Sequence, residues 1–197
     1  PEQVPGTVRS RPITFVFNGG PGASSVFLHL GALGPKRIVT SKAGKPLPPP
    51  FVLVENPLTW LTFTDLVFVD PIDTGYSRPA DGKESKEFFG FKEDCKTMGD
   101  WVRLYTTRFG RWASPKFLAG ASYGTTRAVG TAQYLHDTHG LDLNGLVLAA
   151  PVLDFQTISF AEGNERFGRP SRPSFLLRRG ELFEAATRAG LAVLAFE

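Results

Sequence analysis

Pro115-Lys116-Phe117-Leu118-Ala119-Gly120-Ala121-Ser122-Tyr123-Gly124-Thr125-Thr126-Arg127 is the stretch that sets the fold of this chain. It divides into a short apolar strand, Phe117-Leu118-Ala119, a tight Gly-Ala-Ser-Tyr-Gly turn, and the start of a helix. That layout is a nucleophile elbow, a strained strand-to-helix turn that holds a serine hydroxyl clear of a sheet. Gly120 and Gly124 flank Ser122 because side chains there would collide with the neighbouring strand and helix. The helix N-terminus behind Ser122 favours negative charge developing at the site. Taken by itself, Gly-x-Ser-x-Gly also fits a plain Gly/Ser turn in an α/β protein.

Outward from the elbow, strands and helices alternate. Arg11 to Asn18 is an apolar, β-branched run that reads as a central strand buried on both faces. Gly19-Gly20-Pro21-Gly22-Ala23-Ser24-Ser25 follows, dense enough in glycine for the backbone to approach a ligand and point amides at it. It is not a phosphate loop, because no Gly-Lys-Ser/Thr follows. Ser24 to Leu33 has a short helical look, Phe51 to Val54 a short strand, and Asp65 to Asp70 a strong one. Trp60 and Leu61 read as core packing, and Asp81 to Glu87 as a solvated charged stretch. Phe91 to Phe109 places Met98, Trp101, Val102, Tyr105 and Phe109 at helical spacing, with Cys95 packing in the same helix. Thr125 to Thr138 is the helix leaving the elbow, stopped by Gly140, and Leu143 to Ala149 is the next strand. The alternation predicts an α/β sheet, mostly parallel, with helices on both faces. Residues 1–164 form one partial domain. Residues 165–197 form an atypical basic, Pro-rich tail, with a terminal helix over Glu181 to Ala192.

Bulk properties narrow the function classes. With 197 residues, 42% hydrophobic and 21% charged, the chain has the composition of a globular domain with a real core. The net charge of +3 has a local origin in the arginines from Arg166 to Arg188. Basic residues are not interleaved with aromatics along one face, so nucleic-acid binding is not expected. No apolar run is long enough to span a bilayer. The single cysteine, Cys95, allows no internal disulfide. The sequence starts at Pro1 without a signal-peptide pattern, which leaves the compartment unknown.

Three stretches in order, Asn18-Gly19-Gly20-Pro21-Gly22-Ala23-Ser24-Ser25, Asp70-Pro71-Ile72-Asp73-Thr74-Gly75-Tyr76-Ser77 and Gly120-Ala121-Ser122-Tyr123-Gly124, resemble the serine carboxypeptidase family in type and spacing. The resemblance runs from about Arg11 to Asn164 and is to the family's bacterial members. It implies an α/β-hydrolase fold, incomplete on its C-terminal side, and release of C-terminal residues from peptides. It implies no cofactor and no metal, and it favours a secreted or periplasmic location. By resemblance Ser122 is the nucleophile, and the amides of Gly20 and Tyr123 form the oxyanion hole. Asn18 and Gly19 bind substrate, Asn18 through the terminal carboxylate; the other reading of Asn18 is a strand-end cap. The chain departs from the family at three positions. Ala121 stands where the family has Glu before the serine, Ala32 where it has a second Glu, and Ala23 where it has a half-cystine. Selection of a free C-terminus is thereby reduced.

A serine hydroxyl needs a base and an orienting acid, and in this fold they follow the serine in the order Asp then His. The three histidines are His29, His136 and His139. His136 and His139 lie on the order of 20 Å along the helix from Ser122, at 1.5 Å per residue, and read as helix C-terminal charge. His29 is a weak substitute base, and Asp154 a displaced acid with no later histidine to orient. The sequence therefore predicts the N-terminal part of a longer enzyme, or a truncated or frame-shifted product, with the catalytic Asp and His absent from residues 1–197. Three functions follow: a serine carboxypeptidase completed by further residues, a non-catalytic remnant, or a related esterase or acyltransferase. The partner is a peptide or ester substrate. Self-association through an uncovered sheet edge is also expected; a monodisperse monomer in sedimentation velocity would overturn it.

Overall fold

The structure, a computed structural model, describes residues 10–41, 44–45, 47–152 and, as backbone, 192–196. Its centre is a five-stranded sheet in the order β4-β1-β5-β6-β7. The strands are β1 (Ile13–Phe17), β4 (Asp65–Phe68), β5 (Lys116–Ala121), β6 (Gly145–Ala149) and β7 (Ala192–Phe196). Every neighbouring pair in it is parallel. Strands β2 (Lys36–Ile38) and β3 (Leu53–Glu55) form a separate antiparallel pair. All five residues of β1 are buried, as a central strand covered on both faces requires. Ile13, Phe15 and Phe17 join the main core, and each such side chain stabilises the fold by roughly 1.5–3 kcal/mol on burial.

Two long helices pack on that core. Helix α2 (Phe91–Arg108) contributes Met98 and Val102, and helix α3 (Tyr123–His139) contributes Ala128, Ala132 and Leu135. Phe15 meets Trp101 and Tyr105 edge-on, with ring centroids 6.0 and 5.5 Å apart. On the opposite face of β1, Thr14 Oγ1 hydrogen-bonds Thr64 Oγ1 at 2.9 Å. Helix α3 ends on Gly140 in the left-handed region, whose amide donates to His136 O and Leu135 O. The helices touch through small residues: a Cβ on Gly130 would lie 2.4 Å from Cys95 Sγ. Cys95 is accordingly buried, and burial, followed by the Asp94 carboxylate, pushes its thiol up to about 12. Iodoacetamide at mildly alkaline pH is therefore expected to leave Cys95 unmodified in the native protein and to alkylate it in urea. Native-state alkylation at the rate of a free thiol would overturn this packing.

The segment after β1 is less regular than the sequence suggests. Only Val26–Leu28 is α-helical (α1), and His29–Leu33 widens into a π-helical turn. Helix α3 begins at Tyr123, two residues before the expected start, because the elbow leads straight into it. The terminal helix expected over Glu181 to Ala192 lies outside the described residues except for Ala192. That residue opens β7, which pairs in parallel with β6 from Gly145↔Ala192 to Ala149↔Phe196. Part of the tail thus joins the sheet, leaving β4 and β7 as its edges among the described residues. No helix among these residues is long and apolar enough to cross a membrane.

Candidate active site

The C-terminal ends of β1 and β5 bring the candidate residues together. Ser122 has φ 55° and ψ −127°, a left-handed conformation that a non-glycine residue rarely adopts. It is exposed, and its hydroxyl has no hydrogen bond to a described atom. The strained turn is tied down from below. Ser122 N donates to Ala149 O at 3.0 Å, at the end of β6. Thr125 Oγ1 donates to Ser122 O at 2.6 Å and accepts from Val152 N at 2.9 Å. Gly124 packs against the end of β1, where a Cβ would fall 2.7 Å from Phe17 O.

The glycine loop after β1 lies against the elbow. A Cβ on Gly19 would be 2.6 Å from Ala121 O, 2.8 Å from Ser122 Cβ and 3.0 Å from Tyr123 N. Only glycine permits that approach, and it sets Gly19–Gly20 beside the Tyr123 amide. Gly20 itself has φ +110°. Asn18 is half-buried, and its side chain has no hydrogen-bond partner among the described residues. The backbone carbonyl of Asn18 is engaged, accepting from Arg127 Nη1 at 2.9 Å.

The Asp70–Ser77 stretch braces this loop. Asp70 Oδ1 accepts from Ser25 N at 2.7 Å, and Ser77 Oγ donates to Asp70 O at 2.7 Å. Ser25 Oγ lies within donating reach of both Val16 O and Val69 O, stitching β1 to the residue after β4. The other Asp70 oxygen sits against Gly75, where a Cβ would be 2.0 Å away. The second motif is therefore structural support for the first.

Two residues that the sequence did not single out complete the site. Arg127 and Asp94 form a buried pair, with side chains 2% and 12% exposed. Arg127 Nε reaches both Asp94 oxygens, at 3.0 and 2.9 Å. Tyr123 OH donates to Asp94 Oδ2 at 3.1 Å. Burial, then the Asp94 charge, pushes the Tyr123 phenol up to about 12, so it stays protonated and donates. The signal was present: Arg127 falls one turn after Tyr123 on the buried side of α3, and Asp94 beside Cys95 on that of α2. A charge at a buried helical position calls for a partner.

None of the three histidines is bonded to Ser122. His29 stacks on Phe68, with ring centroids 4.4 Å apart. His136 Nδ1 pairs with Asp142 Oδ1 at 2.7 Å, and that carboxylate raises its pKa. His139 Nε2 meets Asp100 Oδ1 at 2.8 Å. Both belong to the far end of α3, as the rise per residue requires. Asp154 lies outside the described residues. Ala121 is half-buried beside the elbow, while Ala32 is exposed and offers its carbonyl to Asn56 Nδ2 at 2.7 Å. Among the described residues no three His, Cys, Asp or Glu side chains gather as metal ligands would. A cleft of about 560 Å³ opens beside the loop, between Pro21, Ile72, Phe89, Phe91 and Tyr123; Ser122 is not in its wall.

The chain is similar to known proteins. The family model for serine carboxypeptidases matches residues 4–164. The chain belongs to the serine carboxypeptidase family. The pheromone-processing carboxypeptidase KEX1 of Yarrowia lipolytica is 31% identical over 150 residues, covering 75% of this chain and 23% of that protein. Serine carboxypeptidase-like 36 of Arabidopsis thaliana is 28% identical over 150 residues, covering 73% of this chain and 29% of that protein. The crystal structure of Kex1(delta)p, a prohormone-processing carboxypeptidase from Saccharomyces cerevisiae, superposes with a TM-score of 0.63. It covers 95% of this chain and 41% of that one at 24% identity, a likeness of fold. The serine carboxypeptidase-family chain thus spans about a quarter of the length of these two curated relatives.

Proposed function

We propose that this chain is the nucleophile-bearing part of a serine-type carboxypeptidase. Ser122 Oγ attacks the scissile carbonyl carbon, and its proton passes to a base. The carbonyl oxygen becomes an oxyanion held by the amides of Gly20 and Tyr123. Collapse expels the amine, which takes up the proton, and leaves an acyl-Ser122 that water then hydrolyses. Removing one such amide costs roughly 3 kcal/mol of barrier lowering. Asn18 and Gly19 bind the peptide beside the scissile bond. The observation that carries the reading is the strained, exposed Ser122 with Gly19 packed 3.0 Å, in Cβ terms, from Tyr123 N.

In this proposal neither the base nor its orienting acid comes from His29, His136 or His139. The three are committed to Phe68, Asp142 and Asp100. Residues outside 1–197 supply both. That same commitment favours a second reading for the 197 residues alone, a non-catalytic remnant. Without a base, an oxyanion hole and binding still give about 10³–10⁴-fold over water. The isolated chain is therefore expected to react slowly with a fluorophosphonate probe, at Ser122, and the Ser122→Ala variant not at all. Labelling that survives Ser122→Ala overturns the assignment, and no labelling leaves the non-catalytic reading. Ala121 and Ala32 stand where acidic residues would grip a terminal carboxylate, which brings the esterase alternative closer. Equal hydrolysis of peptides with free and amidated C-termini would mean that the carboxylate site has been lost.

A further inference from the structure

Arg127 is held at three points inside the interface between α2, α3 and the glycine loop. Nε lies on the Asp94 carboxylate at 2.9 and 3.0 Å. Nη1 donates to Asn18 O at 2.9 Å, 109 residues away in sequence. The guanidinium carbon sits 5.1 Å from the centre of the Tyr123 ring, within cation–π range. One side chain therefore touches both halves of the proposed oxyanion hole, the loop and the residue after Ser122.

The contact with Asn18 O has a directional consequence. A trans peptide is planar, and its C=O and N–H point in opposite directions. The Asn18–Gly19 and Gly19–Gly20 peptides are both trans. Anchoring Asn18 O on Arg127 turns the Gly19 N–H away from the interior. Gly19 O in turn accepts from Ala23 N at 3.3 Å, which sets the Gly20 N–H in the same manner. Neither glycine N–H has a partner among the described residues. Asp70 braces the far end of the loop through Ser25, but at Gly19–Gly20 no side chain can hold the backbone, and glycines lose the most conformational freedom on ordering.

We infer that Arg127, gripped by Asp94, is a positioning residue for the oxyanion hole. It fixes the Asn18–Gly19 peptide and backs the Tyr123 ring, so that the amides on the two sides converge beside Ser122. This rests on the reading of Gly20 and Tyr123 as oxyanion donors. The planar fork of arginine suits the task, because it donates in two directions at once; a lysine ammonium is a single point charge on a flexible stem.

The test separates positioning from mere folding. The double variant Asp94→Asn/Arg127→Met removes both charges together and leaves no buried ion unpaired, so the fold is expected to survive. Its backbone amide resonances are compared with those of the parent 197-residue chain, alongside the rate of Ser122 labelling by a fluorophosphonate. The expected result is that the Gly19 and Gly20 amides shift while those of Val16, Leu118 and Leu146 stay in place. Labelling should fall on the order of 10²-fold, the loss typical of an oxyanion donor, and Arg127→Lys should not restore it. Unmoved Gly19 and Gly20 resonances in a folded double variant overturn the inference, as does labelling at the parental rate. If the parent is not labelled, the 197 residues are non-catalytic, and the glycine resonances still decide the role of Arg127. Should the double variant not fold, Arg127→Lys, which keeps a cation against Asp94, is judged by the same two resonances.

Discussion

Asp94→Ala alone is expected to lower folding stability by about 3–5 kcal/mol. The Arg127 side chain is 2% exposed and cannot shed its charge. Asp94 is its only anionic partner among the described residues. Truncation would leave a buried cation with one carbonyl, Asn18 O, and would take from Tyr123 OH its acceptor 3.1 Å away. The Lys96–Asp100 pair is the natural control. It has a short 2.6 Å contact, but its side chains are 62% and 40% exposed. Exposed pairs of this kind contribute at most about 1 kcal/mol. Urea unfolding of the parent, Asp94→Ala and Lys96→Ala chains gives the comparison. Similar small shifts in both variants would show that the Asp94–Arg127 pair is solvated rather than buried.

Gly120→Ala is expected to be as damaging, for a steric reason. Its Cβ would lie 2.0 Å from Gly124 O, 2.3 Å from Gly124 C and 2.7 Å from Thr125 N. These are backbone atoms, so no side-chain rotation relieves the overlap, and β5 must separate from the start of α3. Overpacking in a core costs 1–3 kcal/mol when side chains can adjust, and a backbone clash lies at or above about 3 kcal/mol. The same displacement would move Ser122, so probe labelling should disappear together with stability. Gly31→Ala serves as the control, because a Cβ there meets nothing within 4 Å. It should change stability by no more than about 0.5 kcal/mol. A Gly120→Ala chain as stable as Gly31→Ala would mean that the turn is not packed as described.

The elements that were legible in the sequence are those fixed by local rules. β1 and β5 are read from short apolar runs, α2 from its Met98–Val102 stripe, and the end of α3 from Gly140. The elbow is legible for the same reason, since a strained serine between two glycines is a statement about adjacent residues. The π-helical turn at His29–Leu33 was not legible: its widening carries no local composition signal distinct from a helix. The strand Ala192–Phe196 carries an apolar pattern of its own, but Leu182, Phe183, Ala186 and Ala189 fall on one side of a helix over Glu181 to Ala192, so the sequence reads the segment leading into it as helical. Its place beside β6 is a choice made by the sheet, which offers an unpaired edge there.

What the sequence determined by itself is the chemistry on offer: a serine on a sharp turn, a glycine loop able to approach it, and no histidine within local reach. Tertiary structure alone decided how those parts are held. The Arg127–Asn18 bond joins residues 109 apart, Arg127–Asp94 joins residues 33 apart, and Ser25–Asp70 joins residues 45 apart. The physical reason is the range of the forces involved. Backbone sterics and side-chain periodicity act over a few neighbours and can be read in order along the chain. A buried charge only demands some partner, and which one it finds is settled when β1, α2 and α3 pack against one another.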